Sequence, residues 1–281
     1  MTRVSIIIPC YNAGDFLHEA VESALAQTHA DIEIIIVDDG STDPRTNEIL
    51  QVAAWPRTKI IRKENSGPAS ARNVAISNCS GEYILPLDAD DTIEPTYVEK
   101  ALAVMESNPN VGIVYCKAMR FGAEQGPWGL PPYNLRELVI DNVIFVTSMF
   151  RRADWLEVGG FNESLLMGVE DYEFWVKIVG KGRDVIQIDE YLFNYRIQQS
   201  SRTTSFSADR SVVVNTYATI FRANVEFYAK NAEVLFEHRF GLYDELVRYR
   251  ARYGRLDALL QRRPWLLRML RPIAKLLNRR A

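Results

Sequence analysis

With 281 residues, 47% of them hydrophobic and 25% charged, the chain has the composition of an ordinary soluble globular protein and the length for one large or two modest domains. Three widely spaced cysteines (Cys10, Cys79, Cys116) and three unclustered histidines (His18, His29, His238) argue against a disulfide framework and a zinc site, and no apolar run approaches the ~20 residues of a membrane-spanning helix. The net charge of −3 conceals an asymmetry: from Arg248 onward eleven Lys or Arg stand against the single acid Asp257, so the remainder is acidic.

Met1-Thr2-Arg3 leads straight into an apolar run, so no signal peptide is expected, and the thiols suit a reducing compartment. Val4 to Pro9 is a β-branched run that reads as a buried first strand, followed by the loop Tyr11-Asn12-Ala13-Gly14. Phe16, Leu17, Ala20, Val21, Ala24 and Leu25 recur at helical spacing. Ile32 to Val37 is the next strand; it ends in Asp38-Asp39-Gly40, after which Asp43-Pro44 predicts a capped helix start. A short strand at Lys59 to Arg62, a helix at Pro68 to Ile76 and a strand at Tyr83 to Leu87 complete the first half. Strands alternating with helices indicate a mostly parallel sheet covered on both faces, with ligands beyond the carboxyl ends of its strands. Pro9-Cys10-Tyr11, Asp38-Asp39 and Asp88 to Asp91 all fall at those ends.

The stretch Leu87-Asp88-Ala89-Asp90-Asp91 places three carboxylates within four residues, a costly arrangement that a divalent cation resolves, since Mg²⁺ and Mn²⁺ take oxygen ligands. A helix entry capped by Asp91 or Thr92 accounts for one or two of these acids but not for Asp88 as well. Downstream the reading gives a helix near Pro95 to Met105, a strand near Val111 to Tyr115, and a long loop from Gly122 to Tyr133 that holds three prolines and three glycines. Val143 to Phe150, a helix at Arg151 to Val158, an acidic helix at Gly168 to Ile178 and strands at Asp184 to Ile188 and Leu192 to Tyr195 follow. Thr203 to Ala208 is a polar boundary with helices beyond it, which divides the chain into a domain of residues 1–205 and a helical, basic extension of residues 206–281.

In order, Ile7-Ile8-Pro9-Cys10-Tyr11-Asn12, Val37-Asp38-Asp39-Gly40-Ser41, Asn65 to Asn73, Leu87 to Asp91, Gly159-Gly160-Phe161, Glu170-Asp171 and Tyr195-Arg196 resemble the motifs of the family-2 glycosyltransferases, inverting enzymes of the GT-A fold that use nucleotide sugars. The resemblance runs from Val4 to about Ser201 and implies a Rossmann-like mixed sheet flanked by helices. It implies that Pro9, Tyr11 and Asp38 or Asp39 hold the base and ribose of a nucleotide-diphosphate sugar, a UDP-sugar being favoured, and that Gly67 and Arg72 lie beside the nucleotide, Arg72 turning its planar fork to phosphate. Asp88, Ala89 and Asp90 complete the donor site, with Asp90 and Asp88 holding Mn²⁺ or Mg²⁺. Glu170-Asp171 matches the catalytic motif, Asp171 being the favoured base for an acceptor hydroxyl. Many members carry a histidine two positions after Tyr-Arg; here Gln198 stands there, able to offer a carbonyl oxygen.

From Pro264 to Arg280 the chain is rich in leucine and arginine, which fits a basic amphipathic helix on a membrane surface or packed on protein; with no interleaved aromatic apart from Trp265, nucleic acid is not an expected partner. The expected protein is a cytoplasmic transferase, peripheral on the inner face of the plasma membrane, that extends a glycan or lipid-linked glycan. The competing readings are a nucleotidyltransferase that forms sugar nucleotides and a non-catalytic nucleotide-sugar-binding scaffold.

Overall fold

The computed structural model describes residues 2–198, 206–263 and Trp265. They form two compact units that meet at Lys230 and Asn231.

In the first unit, β1 (Val4–Cys10), β2 (Ile32–Asp38), β3 (Thr58–Arg62) and β4 (Tyr83–Pro86) pair in parallel in the order β3-β2-β1-β4. Val4, Ile6, Ile7 and Ile8 have no exposed surface, as a strand covered on both faces requires. The register pairs Cys10 with Asp38, so the ends of β1 and β2 lie side by side. Ile7 accepts the Leu87 amide, on the β4 side. Pro9, of the same parity, faces past the end of β4, where its missing N–H leaves no ladder bond unmade.

Four helices punctuate this half. α1 (Leu17–Leu25) buries Leu17, Ala20, Val21 and Ala24. α2 (Pro44–Val52) starts as expected, with Asp43 accepting the Thr46 amide at 2.8 Å and Pro44 in the first turn. α3 (Pro68–Ser77) packs on β1 and β2 and follows Gly67, whose φ of 87° favours glycine. β5 (Thr92–Ile93) and α4 (Tyr97–Ser107) come after the acidic cluster. Because α4 begins beyond Thr96, Asp88 to Asp91 do not serve as its cap.

The remaining strands extend the sheet as β4-β8-β6-β9-β5, with β7 (Gly126–Pro127) on β6 (Val111–Gly122). β8 (Met149–Arg151) runs antiparallel to both neighbours. β6 and β9 (Asp184–Ile197) are long and parallel, with irregular register near Lys117. That bulge explains why β9 reads as two strands in the sequence: Asp189 and Glu190 interrupt the apolar pattern without ending the ladder. Two other expectations are corrected. Val143 to Ser148 is irregular, and α5 (Leu135–Ile140), capped by Asn134, was not anticipated because it is only six residues long. α6 (Arg152–Val158) and α7 (Glu170–Gly180) follow β8, and α8 (Arg210–Ala223) and α9 (Val225–Lys230) close the unit, α9 packing on α7.

The second unit is described by one long helix, α10 (Ala232–Arg262). The basic segment expected from Pro264 to Arg280 lies outside the described residues apart from Trp265. Among the described residues, no helix is long and apolar enough to cross a membrane.

Candidate active site

Two cavities open at the strand ends. The larger, about 530 Å³, is lined by Pro9, Tyr11, Asp39, Gly67, Arg72, Asp88, Ala89, Asp90 and Gln198, among others. The smaller, about 220 Å³, is lined by Asp91, Trp128, Asn142, Phe145, Glu170 and Asp171. Arg72, Asp88 and Tyr195 belong to both walls, so the cavities adjoin.

Every expected donor-site residue but one thus meets in a single cavity. The exception is Asp38, which is 3% exposed and accepts the Ser41 amide at 2.9 Å to close the turn after β2. Asp39 faces the cavity, and its oxygens accept from Lys63 Nζ (2.6 Å) and from the amides of Ser66 (3.0 Å) and Gly67 (2.8 Å), which fixes the loop before α3. Tyr11 is 49% exposed on the same wall, an open ring face rather than a packed core residue. A Cβ at Gly67 would approach Leu166 to 3.2 Å, so glycine also leaves room at the rim.

Arg72 corrects the reading that its fork is offered to phosphate. The side chain is 2% exposed, and its two terminal nitrogens reach Asp88 Oδ1 and Glu170 Oε1, each at 2.6 Å. It ties the acidic cluster after β4 to the first turn of α7. Asn73, the next residue on α3, repeats that role: it donates to the Phe161 carbonyl and accepts from the Phe161 amide and Trp155 Nε1, pinning the Gly159-Gly160-Phe161 loop.

Asp88 retains a 34% exposed side chain beside Arg72. Burial, then the neighbouring Asp88 charge, raises the pKa of Asp90, and the same causes with Asp90 added push Asp91 well up. Asp91 accepts the Arg196 amide at 2.8 Å, and Arg196 Nε donates to the Asp90 carbonyl at 2.7 Å. Gln198 meets Asp90 through its amide nitrogen (2.6 Å), where the sequence reading had offered its carbonyl oxygen. Among the described residues no group of three or more His, Cys, Asp or Glu gathers into a metal cage. A hard divalent cation needs only one or two carboxylates when water and diphosphate oxygens complete its shell. Asp88 and Asp90 fit that pattern: both face the larger cavity, and the raised pKa of Asp90 reflects burial first and then repulsion from Asp88, both of which a cation relieves.

Glu170 and Asp171, adjacent in sequence, have different surroundings. Glu170 is 2% exposed and salt-bridged to Arg72. Asp171 faces the smaller cavity, accepting the Tyr172 amide (2.8 Å) and Asn142 Nδ2 (3.1 Å). Its pKa is pushed up to about 6 by burial first and then by the Glu170 charge. The turn before α7 is strained, with the β-branched Val169 at φ 56° after Gly168 at φ 139°. An aromatic wall faces Asp171 across the same cavity: Trp128 stacks on Tyr195 with centroids 4.5 Å apart and planes 19° apart, and on Phe145 at 6.0 Å. Sequence reasoning missed Asn142 and Trp128 as site residues. A lone tryptophan in a Gly/Pro-rich loop was the available signal for the second, and the first had none.

The profile described as "Glycosyl transferase family 2" matches residues 5–154. The chain is 38% identical over 181 residues to chondroitin synthase of Escherichia coli, covering 62% of this chain and 26% of that one. It is 34% identical over 193 residues to hyaluronan synthase of Pasteurella multocida, covering 66% of this chain and 20% of that one. It therefore spans about a quarter or less of the length of these two relatives. Among solved structures, S. aureus TarS 1–349 in complex with UDP-GlcNAc superposes with a TM-score of 0.62 at 23% identity, over 73% of this chain and 61% of that one. The mannosyltransferase PcManGT of Pyrobaculum calidifontis, in complex with GDP-Man and Mn²⁺, gives 0.61 at 18% identity over 94% of this chain and 82% of that one. These likenesses show the GT-A fold. With the family profile covering more than half of the sequence, the chain belongs to glycosyl transferase family 2.

Proposed function

We propose that the protein transfers a sugar, with inversion, from a nucleotide-diphosphate sugar to the hydroxyl of a glycan or lipid-linked glycan during cell-surface glycan synthesis. The observation that carries this reading is the pair of adjoining cavities, one holding Asp88 and Asp90, the other Asp171 with a pKa near 6. Tyr11 offers a ring face to the base, and Asp39, already holding the Gly67 amide, borders the nucleotide. Occupancy of the larger cavity by UDP is supported by its polar rim and, from outside this chain, by TarS solved with UDP-GlcNAc. Asp88 and Asp90 would hold a Mn²⁺ or Mg²⁺ ion, which when bound would supply charge neutralisation for the departing diphosphate.

The acceptor enters the smaller cavity, where the stacked Trp128 and Tyr195 offer a face to a sugar ring. Asp171 takes the proton from the attacking hydroxyl; its raised pKa makes it a stronger base than an ordinary aspartate while leaving it ionised near neutrality. Attack from the side opposite the leaving group inverts the anomeric centre. Arg72 holds Asp88 and Glu170 in register, so that the donor and acceptor walls keep their spacing. In this reading residues 1–205 carry the chemistry, residues 206–281 are a helical basic extension, and the reaction takes place in the cytoplasm beside the inner membrane face.

Thermal melts with UDP, with and without Mn²⁺, test the proposal. UDP should raise Tm chiefly when Mn²⁺ is present, and Asp90→Ala should remove that dependence. Stabilisation by UDP that ignores both the metal and the substitution would sink the donor-site assignment.

A further inference from the structure

α10 carries a pattern that the transfer reaction does not use. Leu235, Leu242 and Tyr249 recur every seven residues, interleaved with Arg239, Leu246, Tyr253 and Leu260 at alternating steps of four and three; in the sequence Leu256 continues the first series. This is the spacing of a coiled-coil seam, and from Leu235 to Leu260 it runs for about 39 Å at 1.5 Å per residue. Along it Leu242, Leu246, Tyr249 and Tyr253 are 54%, 42%, 48% and 39% exposed. A helix built into a globular core buries such a stripe, whereas Leu242, Leu246 and Tyr253 keep a large share of their surface exposed. Two interior glycines, Gly241 and Gly254, weaken the helix by about 1 kcal/mol each relative to alanine. Among the described residues, nothing outside the helix's own backbone lies within 4 Å of the place a Cβ would occupy at either. A helix of this kind gains stability from a partner laid along its seam.

Charge identifies the partner. The first half of α10 carries Glu233, Glu237, Asp244 and Glu245, and the second half Arg248, Arg250, Arg252, Arg255 and Arg262. An anionic lipid surface favours bases on every turn and is repelled by the acidic half. A second copy of the helix running oppositely matches it, acidic half against basic half, and Glu245, flanking Leu246, then faces Arg252 of the other copy. We propose that α10 is a self-association surface, through which two copies of this chain pair as a two-stranded coiled coil.

Sedimentation velocity of the full chain from about 1 to 100 µM tests this. The wild type should sediment as a dimer. Leu242→Lys with Leu246→Lys should give a monomer whose first unit still melts cooperatively, and Glu245→Arg should raise the dimer Kd on the order of ten-fold, from two symmetric pairs each turned from attraction to repulsion. Leu156→Lys, at a 74% exposed leucine of the first unit, should leave the dimer intact. A wild type that stays monomeric throughout, or a dimer that survives the double substitution, overturns the proposal. So does a monomer whose binding to phosphatidylglycerol vesicles is lost in the double variant, which assigns the face to lipid.

Discussion

Asp171→Asn should abolish transfer and, at alkaline pH, stabilise the protein. The native Asp171 pKa of about 6 lies above its ordinary value of 3.8, so the folded protein holds that proton more tightly than the unfolded chain does. The ionised native carboxylate therefore carries a penalty that is absent below 3.8, grows as pH rises, and is complete above about 6. At 1.36 kcal/mol per pH unit the penalty is on the order of 3 kcal/mol. Asparagine escapes it but keeps one good acceptor where aspartate had two, one for the Tyr172 amide and one for Asn142 Nδ2, a loss of about 1 kcal/mol. The net gain near pH 8 is about 2 kcal/mol, or roughly 5 °C in Tm. Near pH 4, where wild-type Asp171 is protonated, the gain vanishes and the variant becomes the less stable by about 1 kcal/mol. Melts of both proteins from about pH 4 to 8.5 should cross, and wild-type kcat/KM should fall tenfold per unit below pH ~6 while the variant loses on the order of 10²–10⁴ in rate. A variant destabilised by one constant margin at every pH would refute the reasoning.

Arg72→Met removes the guanidinium that Glu170 faces at 2% exposure, and urea unfolding should report a loss of about 3–5 kcal/mol; an unchanged midpoint would mean that the bridge does not hold α3 to α7. Tyr11→Ala removes one stacking face, so the donor KM should rise about five- to tenfold with kcat preserved, and a fall in kcat alone would deny the ring its place on the base. Trp128→Ala removes the ring that stacks on both Tyr195 and Phe145. The acceptor KM should rise by a similar factor with the donor KM unmoved, whereas a change confined to the donor would exchange the roles of the two cavities.

Local signals carried the first half of the fold. Val4 to Cys10, Ile32 to Asp38 and the Asp43-Pro44 helix start lie where β-branched runs and capping chemistry put them, because short connections leave little for tertiary context to decide. The second half was harder. β9 pairs along its length with β6 across an irregular register, and a ladder closed between distant segments leaves no local trace where polar residues interrupt it. The site divides in the same way. Asp39, Asp88, Asp90 and Asp171 were legible as acids at strand ends and at a helix start. The role of Arg72 was not, since an arginine on a helix looks alike whether it faces water, phosphate or two carboxylates. Asn142 became visible only when the irregular stretch after α5 brought it to within 3.1 Å of Asp171.

The acids after β4 are held by residues made more than a hundred positions later: Asp91 by the Arg196 amide and Asp90 by Gln198. On a ribosome Asp88 would emerge after its partner Arg72, whereas Asp90 and Asp91 would wait through more than a hundred further residues before the groups that steady them arrive. A nascent chain released short of Gln198 would possess the whole parallel half of the sheet yet lack the clasp on Asp90. Competence to hold a donor should thus switch on late and abruptly, with the final strand, and not build up strand by strand.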